Sequence, residues 1–350
     1  YIARYFLTEN MNKKRTTITS DKNIIVTKKT PTKKNTTKIN SNQSIFESYL
    51  CSVGELSLEA TLDCGQCFRW WREDVGSSIL GKRGGKITSG DICLNNCNDN
   101  CGVGSGVIKV SYCGIVCGFP VCVYSDGESV FVRGFGTVEF WRDYFDLGRD
   151  YSKILPQFGS HPFTIAAINF GRGLRVLKQD AWEMLCSYII SQNNNIPRIS
   201  SSISKICVMC GECIEFGGVE FYKFPSASAI LGLGEAALRQ AGLGYRVEYL
   251  MTAARSVIEG KLEFDQLKKL STEEARERLL CLRGVGMKVA NCVLLFGLGK
   301  LDAFPVDTWI EKAKKYYDNN LNPNQFGQFA GIAQEYIFYY IRKGLKNTNQ

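Results

Sequence analysis

Two spacings of hydrophobic residues divide this chain near residue 137. Between about residues 45 and 132, short runs alternate hydrophobic and polar positions and are broken by glycines, as in ELSLEATL, CFRWWR, GVIKVSY, CVYS and SVFVRGF. A period of two is typical of β-strands that bury one face. We therefore predict an antiparallel sheet in this part of the chain.

From Thr137 onwards the hydrophobic residues follow a helical period. The first predicted helix carries four aromatic residues on one face, namely Phe140, Trp141, Tyr144 and Phe145. Asp180 and Ser271 are each followed three residues later by a glutamate, which is a pattern that begins helices. These two helices should run to about residues 190 and 282.

The turn RGVG follows the second of these helices and is short enough only for a tight connection. A further helix begins near Met287 and runs to about Leu298, so the segment is a helix-hairpin-helix. More helices are predicted at 308–317 and 326–342. The predicted fold is α+β, with a tail at 1–45, a β domain at 46–150 carrying an irregular insertion at about 80–107, a helical region at 151–343 and a tail at 344–350.

The net charge of +9 lies almost wholly in the first 45 residues. That segment holds ten Lys and Arg against Glu9 and Asp21, a balance of +8, which leaves +1 for the remaining chain. The segment is poor in aromatics and is predicted to be disordered. Its KKTPTKK run is a candidate nuclear address, a loose polyanion contact or a solvated tail. The chain begins with Tyr1, and Met11 is a candidate start.

Other classes of protein are disfavoured by composition. No apolar run approaches 18 residues, so we predict no membrane span. Without an evident secretion signal, we expect the 15 cysteines to be reduced. Two groups of cysteines could instead bind zinc, but neither group has a familiar four-ligand spacing. We therefore predict no metal and no cofactor. The two groups are Cys93, Cys97, Cys101, Cys113, Cys117 and Cys122, and Cys207, Cys210 and Cys213.

Two features of the sequence further limit which side chains could be catalytic or could bind a metal. The one histidine, His161, precedes Pro162 and is predicted to be structural, which disfavours a His-based triad or metal site. No cysteine follows Cys292, which excludes an iron–sulfur cluster built on a C-terminal cysteine loop. Catalysis would therefore use Lys, Asp, Glu or Cys.

The hairpin itself is a candidate DNA contact. Gly284 and Gly286 allow a positive-φ turn and close backbone approach, and the amides of Gly284, Val285 and Gly286 can bind one phosphate. Lys288 follows the turn and Asp307 comes 19 residues later. A lysine can attack a sugar carbon and a carboxylate can stabilise the resulting charge, but Lys288 could also be a plain phosphate contact and Asp307 a plain N-cap.

Several separated motifs carry a resemblance to a known family: CGQCFRWW, LKQDAWEMLCSYIISQNNNIPRI, AGLGYRVEY, LRGVGMKVANC, FPVDTW and AQEYIF. The chain resembles the 8-oxoguanine DNA glycosylase/AP lyases of the helix-hairpin-helix Gly/Pro-Asp superfamily over roughly residues 56–343, apart from the insertion. The resemblance implies that Lys288 attacks the sugar C1′ and forms a Schiff base, while Asp307 supports base loss.

The same resemblance implies roles for two further groups of residues. In the pocket for the flipped-out base, Gly65 would accept the N7 hydrogen of 8-oxoguanine, Cys292 and Phe338 would sandwich the base, and Gln334 would bind its Watson–Crick edge. On the DNA side, Asn193 would fill the gap left by the base. Arg198 and Arg246 would hold the orphaned cytosine, and Tyr245 would be a wedge beside it.

The sequence departs from the animal members of the family at two positions. Trp309 stands where they have a histidine, and Ile341 where they have the aspartate that pairs with it; an apolar contact is the expected replacement. The expected partner is duplex DNA with 8-oxoguanine opposite cytosine, bound by a monomer in the nucleus, with the mitochondrion as the alternative compartment. Two other hypotheses are an alkylated-base glycosylase without lyase action, which Lys288 disfavours, and a non-catalytic DNA-binding scaffold.

Overall fold

The computed structural model describes residues 46–73, 108–216 and 219–345, together with the backbone of residues 36–38. The rest of the basic tail, the predicted insertion at about 80–107 and residues 346–350 lie outside the described residues. Within the described part, no helix is both long and apolar enough to cross a membrane.

The predicted antiparallel sheet is confirmed. It contains the strands β2 (Phe46–Ser52), β3 (Trp70–Glu73), β4 (Val110–Val116), β5 (Phe119–Ser125) and β6 (Ser129–Gly134), and the helix α2 (Val138–Tyr144) follows it. The five strands lie in the order β2-β6-β5-β4-β3, and every neighbouring pair is antiparallel. Val121, Val123 and Val132 face one side of the sheet and pack against the aromatic face of α2.

The run ELSLEATL was predicted to be a strand, and this was wrong. It forms the short helix α1 (Leu58–Leu62), which begins where the side chain of Ser57 accepts a hydrogen bond from the amide of Ala60 at 3.2 Å. Leu58 and Leu62 are four residues apart, so both are buried on one helix face although they also suit an alternating pattern.

The expected helical region follows, and several of its helices begin at side-chain caps. Asp180 accepts from the amide of Glu183 at 2.8 Å, and Ser271 forms the full capping box with Glu274. His161 caps the helix that begins at Pro162 and stacks on Tyr317, which supports its predicted structural role. The helices up to the hairpin are α3 (Tyr151–Ile154), α4 (Pro162–Phe170), α5 (Ala181–Ser191), α6 (Ile196–Cys210), α7 (Ala227–Leu233), α8 (Glu235–Gln240), α9 (Arg246–Ile258), α10 (Phe264–Lys269) and α11 (Thr272–Leu280).

The predicted helix-hairpin-helix is present. Its second helix and the helices after it are continued by 3₁₀ turns, which are wound more tightly than an α-helix, or by π-helical turns, which are wound more widely. The second helix of the hairpin is α12 (Met287–Cys292), which continues as a π-helical turn, Val293–Gly297. Next comes α13 (Thr308–Ala313), extended by a 3₁₀ turn at Lys314–Tyr317. The last predicted helix divides into a 3₁₀ segment (Pro323–Phe329), α14 (Ala330–Tyr339) and a π-helical turn (Tyr340–Gly344).

Three short strands lie in segments predicted to be helical or disordered. β7 (Cys213–Phe216) and β8 (Val219–Tyr222) form a hairpin inside the helical region, and β1 (Thr36–Lys38), from the predicted tail, pairs parallel to β7. Ile214 and Phe221 pack against the second face of the large sheet. This tertiary contact explains why so short a hairpin forms between helices.

The prediction that all cysteines are reduced was wrong for one pair. The register of β4 and β5 places Cys113 opposite Cys122, and the two form a disulfide. The two sulfurs and Glu73 are also the one group of three potential ligand side chains in the described segments that lie close enough to share an ion, but sulfurs joined in a disulfide are not thiolate ligands. Cys207, Cys210 and Cys213 are not such a set.

Candidate active site

A cavity of about 840 Å³ opens between α12, α14 and the start of α6. Its wall combines residues far apart in the chain. It includes both predicted catalytic residues and all four predicted base-pocket residues, namely Lys288, Asp307, Gly65, Cys292, Gln334 and Phe338. The fold therefore brings the predicted chemistry and the predicted base pocket to one place.

Lys288 is the second residue of α12 and is half-buried at the cavity wall. Its amine Nζ donates a hydrogen bond to Oγ of Ser191 at 3.0 Å and lies 4.7 Å from the ring centroid of Tyr188. The Ser191 hydroxyl in turn donates to the carbonyl of Tyr188 at 2.8 Å. The amine is thus held on one side by the end of α5.

Asp307 is the N-cap of α13, as predicted. Its Oδ1 accepts hydrogen bonds from the amides of Trp309 and Ile310, both at 2.9 Å. A helix N-terminus stabilises a negative charge. The described residues give no hydrogen bond to Oδ2, so the capping role and a role towards a developing positive charge are compatible in one carboxylate.

Gln334 and Phe338 are one helical turn apart on α14 and both line the cavity. Gln334 is 3% exposed, and its buried Oε1 has no hydrogen-bond partner among the described residues. A buried amide oxygen without a partner costs about 1–3 kcal/mol. A base with N–H donors on its edge would supply the missing partner.

The thiol of Cys292 forms another part of the wall, at the end of α12. Burial raises the pKa of Cys292 to about 12, with the charge of Lys288 acting in the opposite direction and the Glu335 and Asp307 carboxyls adding to the increase. The thiol is therefore neutral at physiological pH. A neutral, polarisable surface suits contact with the face of a base.

Gly65 has a φ of +108°, which favours glycine. A Cβ built there would lie 3.1 Å from Nη1 of Arg342, 3.3 Å from Cδ1 of Ile196 and 3.7 Å from Cε1 of Phe338. Both the backbone conformation and the limited space thus favour glycine at this point of the wall.

The predicted DNA-contacting residues lie around the cavity mouth, and one is arranged differently from expectation. Asn193 has a φ of +47° and lines the cavity, whereas Arg198 and Tyr245 are exposed outside it. Arg246 is buried and donates to the carbonyls of Gln192 at 2.8 Å and Asn193 at 3.0 Å. Arg246 therefore supports the turn that carries Asn193.

Only one hairpin glycine adopts a positive φ. Gly284 has φ +82°, and a Cβ there would overlap the ring of Tyr249. Gly286 has φ −96° and is the N-cap of α12, so the predicted positive φ was wrong at this position. A Cβ on Gly286 would meet nothing within 4 Å, and the residue is exposed at the start of α12.

Two family descriptions match consecutive parts of the chain. Residues 48–185 match the N-terminal domain of 8-oxoguanine DNA glycosylase, and residues 186–325 match the HhH-GPD superfamily of base excision DNA repair proteins. The fold is also similar to the Clostridium acetobutylicum 8-oxoguanine glycosylase/lyase solved with double-stranded DNA containing cytosine opposite 8-oxoguanine. The identity is 30%, the TM-score is 0.69, and the match covers 86% of this chain and 98% of that chain.

The chain belongs to the 8-oxoguanine DNA glycosylase family. Two curated relatives agree with this. The probable N-glycosylase/DNA lyase of Methanothermobacter thermautotrophicus is 32% identical over 206 residues, which is 50% of this chain and 66% of the relative. The N-glycosylase/DNA lyase of Saccharomyces cerevisiae is 36% identical over 166 residues, which is 44% of each chain. The chain spans less than two thirds of these two relatives.

Two further residues at the cavity, Glu335 and Arg342, were not identified from the sequence. Glu335 is 3% exposed, and its buried Oε2 has no hydrogen-bond partner among the described residues. Burial raises its pKa to about 7, a hydrogen bond with Cys64 lowers it, and Asp307 raises it further. The position of Glu335 as a charged residue inside the apolar run AGIAQEYIFYYI could have indicated its importance. The second residue is Arg342, and no local sequence pattern indicated that it lies at the cavity.

The two departures from the animal glycosylases lie near the mouth and in the core. Trp309 lines the cavity with the Lys312 amine 4.6 Å from its ring centroid, and Ile341 is buried. Helix α13 packs against the π-helical turn that contains Ile341, and both side chains belong to the same hydrophobic cluster. A direct contact between the two side chains stays a prediction.

Proposed function

We propose that this protein is a base-excision-repair DNA glycosylase with AP lyase activity, which removes 8-oxoguanine paired with cytosine. The proposal rests on one cavity whose wall holds three groups together. They are the Lys288 amine, the carboxylate of Asp307, which caps α13, and the buried Oε1 of Gln334, which has no partner among the described residues. Membership of the glycosylase family supports the same reaction.

The chemistry assigns separate tasks to the two catalytic residues. The Lys288 amine, in its neutral form, would attack C1′ of the deoxyribose as the glycosidic bond breaks and the base leaves with the bonding electrons. Asp307, fixed by the amides of Trp309 and Ile310, would stabilise the positive charge that develops on the sugar. Opening of the sugar ring, with a proton passing from the amine to the ring oxygen, then gives an imine on Lys288. Loss of a proton from C2′ of this imine forms a C2′–C3′ double bond and expels the 3′ phosphate.

Recognition of the lesion requires more than one contact. The Gly65 carbonyl can accept the N7 hydrogen, which 8-oxoguanine has and guanine lacks. One hydrogen bond is worth roughly 0.5–1.5 kcal/mol, or about tenfold. Because undamaged guanine is in large excess, we propose that base flipping, entry into the pocket and catalysis each contribute to selectivity.

Borohydride trapping on duplexes with 8-oxoguanine opposite each of the four bases tests the proposal. We expect a covalent adduct, formed best with cytosine and absent in Lys288→Gln. Free base without an adduct would favour the glycosylase without lyase action. Binding to DNA with neither product would favour a non-catalytic scaffold.

We also propose that the protein acts in the nucleus as a monomer, with the mitochondrion as the alternative compartment. The basic run KKTPTKK supports the nuclear assignment. A fluorescent fusion to the full chain, compared with one lacking residues 28–34, tests the first point. Light scattering in solution tests the second, and a mass of twice 39.2 kDa would contradict it.

A further inference from the structure

Arg342 connects two walls of the base pocket. Its Nη1 donates a hydrogen bond to the carbonyl of Cys64 at 2.7 Å and to that of Asp63 at 3.3 Å. The guanidinium carbon lies 5.8 Å from the ring centroid of Phe338. One side chain therefore contacts both the segment before Gly65 and the aromatic residue opposite it.

The carbonyls that Arg342 binds have no partner in their own helix. Asp63 is the C-cap of α1, and Cys64 follows it. The last carbonyl groups of a helix need partners from outside, and a cation is favoured at this end. The Arg342 guanidinium supplies both, so it fixes the chain immediately before Gly65.

Glu335 lies near the same segment. It precedes Arg342 by seven residues, which places both on one helical face, and its buried carboxyl is close enough to the Cys64 thiol for each group to shift the pKa of the other. Gln334 and Phe338 project from that helix into the cavity. The C-terminal helix thus both lines the base pocket and holds the segment that carries Gly65.

We propose that Arg342 is a positioning residue for lesion selection, which sets the Gly65 carbonyl at the correct distance from Phe338 and Gln334. This inference rests on the proposed function. The angle and length of a hydrogen bond decide its strength, so a small displacement of Gly65 would weaken the contact that distinguishes the lesion from guanine. The attack on the sugar uses other residues and should not depend on Arg342.

Two substrates separate this role from a general structural role. The first is a duplex with 8-oxoguanine opposite cytosine, and the second is the same duplex with a preformed abasic site, which has no base to recognise. Single-turnover rates would be measured on both for the full-length protein and for Arg342→Met, Arg342→Lys and Arg172→Met. Arg172 is an exposed arginine outside the cavity and provides the matched control.

We expect Arg342→Met to excise 8-oxoguanine about 10- to 100-fold more slowly, the factor for losing a hydrogen bond from a charged group. Cleavage at the abasic site should change less than threefold, Arg342→Lys should recover part of the excision rate, and Arg172→Met should match the unaltered protein. Equal losses on both substrates, or excision within threefold of normal, would overturn the inference. An unaltered protein that cleaves abasic sites without excising 8-oxoguanine would instead reject the proposed function.

Discussion

The amine of Lys288 donates a 3.0 Å hydrogen bond to the hydroxyl of Ser191, the last residue of α5. This contact joins the helix that carries the proposed nucleophile to the helix that precedes the Asn193 turn. The nucleophile is therefore oriented by a group outside its own helix.

Removing this hydroxyl should slow formation of the covalent intermediate. We expect Ser191→Ala to reduce the rate of borohydride trapping by about 2- to 10-fold, since a neutral hydrogen bond contributes roughly 0.5–1.5 kcal/mol. Ser191→Thr keeps the hydroxyl and is the matched control. An unchanged trapping rate in Ser191→Ala would show that the serine does not orient the amine.

Glu335 should make the stability of the folded protein depend on pH. Burial raises its pKa in the folded state from 4.5 to about 7, so the folded state binds its proton more tightly than the unfolded state. Its contribution is therefore undiminished below pH 4.5, falls as the pH rises towards 7 and is constant above that. The difference is on the order of 3 kcal/mol at 1.4 kcal/mol per pKa unit.

Urea unfolding of the unaltered protein and of Glu335→Gln at pH 5 and pH 8 measures this difference. The glutamine variant should lose less stability between the two pH values. Glu183→Gln is a useful second variant. Burial also raises the pKa of Glu183 to about 7, and this residue is paired with Arg69 away from the cavity. Parallel curves for the unaltered protein and Glu335→Gln would contradict the prediction.

A methyl group at Gly65 should damage lesion recognition more than DNA binding. Gly65→Ala forces a side chain into a φ of +108° and against the Arg342 guanidinium and Ile196. We expect excision of 8-oxoguanine to fall at least tenfold while affinity for duplex DNA with an abasic site stays within threefold, because the hairpin is untouched. Gly232→Ala, where a Cβ meets nothing within 4 Å, is the control. Equal losses of affinity and excision would rule out a specific role for Gly65.

The two glycines of the hairpin should respond differently to the same substitution. Gly284→Ala puts a Cβ onto the Tyr249 ring in a left-handed backbone conformation, so we expect a lower melting temperature and weaker DNA binding. Gly286→Ala has space and an ordinary φ, so the melting temperature should hold while affinity for DNA falls. Thermal unfolding and binding titrations at two salt concentrations separate the outcomes. Similar melting temperatures for both variants would contradict the assignment.

Local patterns were sufficient to predict the caps and the hairpin. Asp180, Ser271 and Asp307 each cap a helix through bonds to residues two or three positions away, and such bonds can be inferred from spacing. The run ELSLEATL was ambiguous because leucines four apart fit both a strand and a helix. The hairpin β7–β8 depends on packing against the distant sheet, which no local pattern reports.

The same limit applies within the cavity. The roles of Lys288, Gln334 and Phe338 were implied by motifs around them, and the structure brings these residues together. The hydrogen bonds of Arg342 are made to Asp63 and Cys64, which are more than 250 positions away in the chain. Spacing along one helix cannot indicate such partners.

Two adjacent residues of α14, Gln334 and Glu335, each bury an oxygen that has no protein partner in the described structure. Apolar residues of similar size would make the folded protein more stable, since each such oxygen costs about 1–3 kcal/mol. The two residues therefore lower the stability of the fold while they keep polar atoms available to a ligand. Efforts to raise the heat resistance of this protein should change the core elsewhere and leave this pair intact.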